Sequence, residues 1–142
     1  MDWNSFAGPI WVSITTIALY YGFLIRLMLV KIRLFRAHRA AGTRFDRYGS
    51  NDPTLRAADR TQLNMLEHMP SFFVALWLHA WVVSPDSAAL IGGVWVAVRA
   101  VYPLALGRDL KGDIPRRLLI FTFIGYAALW SLLGSVAFKL LA

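Results

Sequence analysis

One stretch concentrates the chemistry of this chain: Arg60-Thr61-Gln62-Leu63-Asn64-Met65-Leu66-Glu67-His68-Met69-Pro70. At about 100° per helical residue, Arg60, Asn64 and Glu67 fall within about 60° of one another, and Ser71 continues the stripe. A cation, an amide and an anion therefore share one helix face. Arginine offers a planar fork of donors that matches a carboxylate, and a glutamate accepts from an ammonium. The stripe suits a polar ligand that carries both groups. The same spacing also allows an internal ion pair, because Arg60 and Glu67 lie about two turns apart with Asn64 between them. Pro70 removes one helical hydrogen bond and loosens the turn near Leu66.

Further along, Arg99 and Tyr102 are three residues apart and share a face. Arg99 has three outlets: snorkelling to the membrane interface, pairing with Glu67, or meeting a ligand carboxylate. Arg26 is expected to snorkel. Arg116 and Arg117 follow Pro115. Such a pair anchors a helix at the interface, and a cation beside a bound thiol also favours the thiolate. His68 adjoins the stripe and can donate to a ligand. His79, deep in the same helix, is expected to hydrogen-bond between helices. With His38 they form no metal spacing, and there is no Ser-His-Asp arrangement or phosphate loop. The 142 residues contain no cysteine. Any thiol chemistry then needs a thiol from outside the protein.

The elements that must position these groups are apolar helices. The chain is 58% hydrophobic, where soluble domains average about 45–50%. Segments 9–25, 69–85 and 118–138 contain no charged residue. A helix of about 20 apolar residues spans roughly 30 Å of hydrocarbon, where the backbone must satisfy itself. A fourth segment, 87–107, carries Arg99 but is otherwise too apolar for a water-exposed loop. The reading is all-α: a transmembrane four-helix bundle in a single domain over 1–142. The helices are expected at 9–31, 60–83, 87–107 and 116–141, with a long connection at 32–59. Pro85 marks the turn before the third helix, and Pro115 suits the first turn of the fourth. The first apolar run follows Asp2 rather than a basic start and lacks a small-residue cleavage pattern, so it is expected to stay in the mature protein.

Charge sets the orientation. The net charge is +7, and it is concentrated in two places. Lys31, Arg33, Arg36, Arg39, Arg44, Arg47, Arg56 and Arg60 flank or lie within the first connection. Arg108, Lys111, Arg116 and Arg117 surround the third. Four spans put both connections on one side, which the positive-inside rule makes cytoplasmic, with both termini outside. Such loops contact anionic lipid; nothing here resembles a nucleic-acid module. Trp3, Trp11 and Trp81 are expected as anchors at the outer face. The composition suits a bacterial inner membrane.

The pattern Arg60-x-x-x-Asn64-x-x-Glu67-x-x-Pro70, opening the second of four spans after a basic loop, resembles the MAPEG family, the membrane-associated proteins in eicosanoid and glutathione metabolism. Arg99-x-x-Tyr102 and Pro115-Arg116-Arg117 are similar to family elements in the third and fourth helices. The resemblance implies a homotrimer with sites at the subunit interfaces. It implies glutathione as co-substrate, bound by Arg60, Asn64, Glu67 and Tyr102, with His68, Arg99 and Arg116 as neighbours, and no metal. It also implies that Arg117 activates the thiol for attack on a lipophilic electrophile. An arginine among Arg33, Arg36 and Arg39 often contributes in the family. The chain departs from several members at His68 and Leu106, where they carry tyrosines. A non-catalytic lipid-binding accessory protein is the second reading, and a small transporter or structural membrane subunit the third.

Overall fold

The computed structural model describes residues 3–112 and 115–142, and the side chains of Trp3 and Arg117 are outside that description. A 3-10 turn at Trp3–Phe6 leads into four helices: α1 Ala7–Ala40, α2 Pro53–Val82, α3 Pro85–Leu106 and α4 Arg117–Leu141. The anchoring expected of Trp3 and the catalytic role expected of Arg117 fall on side chains outside the described set.

Two boundaries differ from the sequence reading. α1 does not stop near residue 31; it runs on to Ala40. Its basic residues are good helix formers, and no glycine or proline interrupts them before Gly42, which takes a left-handed φ of 65°. The amides of Ala41, Gly42 and Thr43 close the end onto the carbonyls of Ala37, Arg39 and His38. α2 begins at Pro53 rather than near residue 60. The Asp52 carboxylate accepts from the Leu55 amide at 2.9 Å, and Pro53 fills the first helical position. The connection is therefore 41–52, not 32–59. Charge had marked these turns as loop, whereas they are polar ends of helices. In that short connection, the amides of Gly49 and Tyr48 hold the Asp46 carboxyl below the usual carboxylate range.

The helices run up and down. Asn64 of α2 meets Arg99 of α3, and His79 meets Ser87, so α2 and α3 are antiparallel. Phe6 stacks on Trp77, and Gln62 donates to Tyr20, which sets α1 antiparallel to α2. His79 also meets Ser135 and the Leu132 carbonyl on α4. α2 packs against all three other helices, as does α3.

Among the described residues, three helices are long and apolar enough to cross a membrane: Asn4–Ala40, Pro85–Leu106 and Leu118–Leu141. Despite Arg99, α3 qualifies; α2, which the sequence marked as a clean span, does not. Its polar residues explain this. Gln62, Asn64 and His79 are buried against neighbouring helices, so they face protein and not lipid. His79 fulfils its expected interhelical role, with Nε2 2.7 Å from Ser87 Oγ and Nδ1 2.7 Å from Ser135 Oγ.

Among the described residues, two packed layers stack along the bundle, and a third, smaller cluster of Leu27, Leu55 and Ala58 joins α1 to α2. One surrounds Phe72 and Trp95, whose rings stack at 3.8 Å, with Leu76 and Leu132. Small residues bring α1 against α3 here: a Cβ added at Gly8 would lie 2.6 Å from the Cβ of Ala89. The second layer joins Ala57, Tyr102, Leu106, Leu110 and Leu118. Outward faces are strongly apolar. Trp11 and Trp81 are among the exposed large side chains.

Candidate functional site at the basic end of the bundle

The second layer forms the floor of the site because the 3–4 connection is tied back to the start of α2. Thr54 Oγ1 donates to Asp109 at 2.7 Å, and the Leu110 amide donates to the Pro53 carbonyl at 2.9 Å. This brings the first turns of α4 beside α2. Between them lies a cleft of about 280 Å³, lined by Arg60, Asn64, Glu67 and His68 of α2, Tyr102 of α3, and residues of α4 that include Thr122 and Tyr126. A larger groove of about 370 Å³ lies along α1, but its walls are mostly apolar, with Lys31 and Arg47 at the rim.

The α2 stripe is gathered as its spacing requires. Arg60 Nη1 lies 4.0 Å from Glu67 Oε1, the outer limit of an ion pair. Their side chains are 39% and 52% exposed. A contact this long between partly exposed groups is weak, so either partner can exchange it for a ligand charge. Asn64 does not bridge them. Its Oδ1 accepts from Arg99 Nη1 at 2.6 Å.

Two of the three outlets of Arg99 are closed. It is 1% exposed, so it does not snorkel, and its hydrogen bond goes to Asn64 rather than to Glu67. Its guanidinium sits 5.0 Å from the centroid of the Trp95 ring. A cation desolvated over an aromatic face is attracted by about 2 kcal/mol. Gly125 leaves room for it: a Cβ there would lie 3.2 Å from Arg99 Nη2. Arg99 thus lies behind the cleft wall, where it makes the floor electropositive.

The remaining site residues separate. Tyr102 is buried, with its hydroxyl in hydrogen-bonding reach of Arg60. His68 lines the cleft and meets Tyr126 edge to face, with centroids 5.2 Å apart. Arg116 is exposed at the N-terminus of α4 and does not line the cleft. Leu106 is buried in the second layer, so the tyrosine that several family members carry there is replaced by packing. Thr122 and Tyr126 were missed. Their signal was a pair of hydroxyls four apart on the face that carries Leu118, at the same end of the helix as Arg116 and Arg117. Among the described residues, no cluster of three or more His, Asp or Glu could hold a metal.

The combination is a small cleft with a loosely paired cation and anion and a buried cation beneath, at one end of a bundle of apolar helices. The MAPEG family model matches residues 12–138 of this chain. The chain belongs to the MAPEG family. The match takes in every residue of the cleft. MAPEG membership, with three helices apolar enough to span, makes the chain an integral membrane protein. The MAPEG family holds glutathione transferases and also non-catalytic members. No curated protein matches the chain.

Proposed function

We propose that the chain is a membrane glutathione-dependent transferase, with reduction of lipid hydroperoxides as the neighbouring activity. The observation that supports this most is the loose Arg60–Glu67 pair, 4.0 Å apart at the cleft. Glutathione has two carboxylates, one ammonium and a thiol. Arg60 would hold a carboxylate, Glu67 the ammonium, and Tyr102 and His68 would donate to the peptide. Arg117, by its place after Pro115, would stabilise the thiolate, an electrostatic role. The thiol gives its proton to solvent, and the thiolate sulfur then attacks an electrophilic carbon of a lipophilic acceptor; the C–S bond forms as the acceptor's leaving group departs with its bonding pair. The acceptor arrives through the bilayer, and the apolar face of α4 beside the cleft offers it a path. The family resemblance supports a homotrimer, and the charge distribution supports cytoplasmic basic loops, external termini and a bacterial inner membrane.

The test is conjugation of glutathione to a chlorodinitrobenzene-type acceptor by the purified protein. Turnover that falls in Arg117→Ala supports the role. No turnover in the wild type, or unchanged turnover in the variant, contradicts it. Leu106 and His68 favour a second reading, a MAPEG member that binds lipid without catalysis, because both thin the hydrogen bonding around glutathione. Saturable glutathione binding abolished in Glu67→Ala supports the enzyme.

A further inference from the structure

The contact between Arg99 and Asn64 carries a consequence for what the cleft can recognise. An asparagine amide can turn either end to a partner, and its oxygen and nitrogen are interchangeable in shape. Arg99 removes that freedom. A guanidinium is donor-only, so the atom of Asn64 that faces it at 2.6 Å must be the oxygen. Arg99 itself cannot turn aside. It is 1% exposed, lies over Trp95, and has Gly125 against Nη2. Asn64 is 6% exposed, yet it lines the cleft. Its Nδ2 is therefore the end that points away from Arg99.

We propose that Arg99 is a positioning residue that locks Asn64 with its N–H donors toward the cleft, so that Asn64 serves only an acceptor group of the ligand, a carboxylate or a peptide carbonyl, and never the ammonium. This rests on the reading of the cleft as a glutathione site and sharpens it. The ammonium is left to Glu67 alone, and the cleft acquires two adjacent donors, Arg60 and Asn64, on one helix face. It also explains why a buried arginine has no carboxylate partner here. With an acidic partner at position 64, the cleft would lose those donors and gain a second negative charge.

Asn64→Asp separates the two jobs of the residue. The carboxylate still accepts from Arg99 and now pairs with its charge, but it has no N–H to offer. Thermal midpoints and calorimetric glutathione titrations of the purified full-length protein in detergent read the two effects. The expected result is a midpoint at or above that of the wild type, together with glutathione affinity weaker by roughly tenfold to a hundredfold, the loss of a hydrogen bond to a charged group. Arg99→Lys, which keeps a donor-only head, should retain more affinity than Arg99→Met. An Asn64→Asp protein that binds glutathione as tightly as the wild type overturns the proposal, as does a lowered midpoint, because it means that Arg99 does not bond the oxygen of residue 64. Absence of binding to the wild type instead overturns the glutathione reading, and the midpoint arm still decides whether Arg99 holds that oxygen.

Discussion

Glu67→Ala and Arg60→Ala distinguish a ligand site from an internal ion pair. The pair stands at 4.0 Å with both side chains partly exposed. Exposed pairs contribute about 0.2–1 kcal/mol, and the long distance and wide exposure here argue for the low end. For a chain of this size, about 0.5 kcal/mol corresponds to a shift of roughly 1–3 °C in thermal midpoint. A ligand charge held by hydrogen bonds to a charged group contributes about 1.5–3 kcal/mol, or roughly tenfold to a hundredfold in affinity. Each variant should therefore keep its midpoint within about 3 °C of the wild type while losing most of its glutathione affinity. A double-mutant cycle on stability should return a coupling near zero. Calorimetric titration and a thermal melt on the same preparations supply both numbers. The reverse pattern refutes the reasoning: a large fall in midpoint with unchanged affinity would mean that the two charges exist to hold each other.

Other expectations follow from the packing and topology. Gly8→Leu should destabilise the bundle by about 1–3 kcal/mol, the usual cost of overpacking, because even a Cβ there meets Ala89 at 2.6 Å; a chemical-denaturation midpoint checks this against Gly22→Leu, which has open space. The chain has no cysteine, so single-cysteine variants report orientation cleanly: with an impermeant maleimide on intact cells, Ala142→Cys should be labelled and Ser50→Cys protected. Asp46 is held below the usual aspartate value by the amides of Gly49 and Tyr48, so the turn it closes is stabilised above the unfolded aspartate pKa and loses that contribution as pH falls through the lowered folded value. A pH titration of those two amides by NMR should show a midpoint below the free aspartate value, and one at or above it contradicts the contact.

Much of the site was legible because helical spacing is a rigid rule. Arg60, Asn64 and Glu67 share a face whatever surrounds them, and Arg99 and Tyr102 do too. What spacing does not contain is the partner across the interface. The hydrogen bond from Arg99 to Asn64 depends on how α2 and α3 cross, and Arg99 taken alone has several outlets. Tyr126 reaches His68 through the packing of α4 on α2 and α3, which the ties from Asp109 and Leu110 to the start of α2 and from Ser135 to His79 hold in place. The helix ends were misjudged for a related reason. Charged residues at 32–40 and 54–59 read as loop against an apolar span, but they are as helical as the span itself and merely project past it. The one arginine of the third span is buried, while α2, the cleaner run by charge, is the helix that buries Gln62, Asn64 and His79 against its neighbours.

A structure of the full-length protein in lipid with glutathione bound tests the central claim most directly. The tripeptide is expected in the cleft between α2 and α4, with a carboxylate at Arg60, the ammonium at Glu67 and an acceptor group at the Asn64 Nδ2. Glutathione seated elsewhere, or a cleft that stays closed with Arg60 drawn onto Glu67, would contradict it.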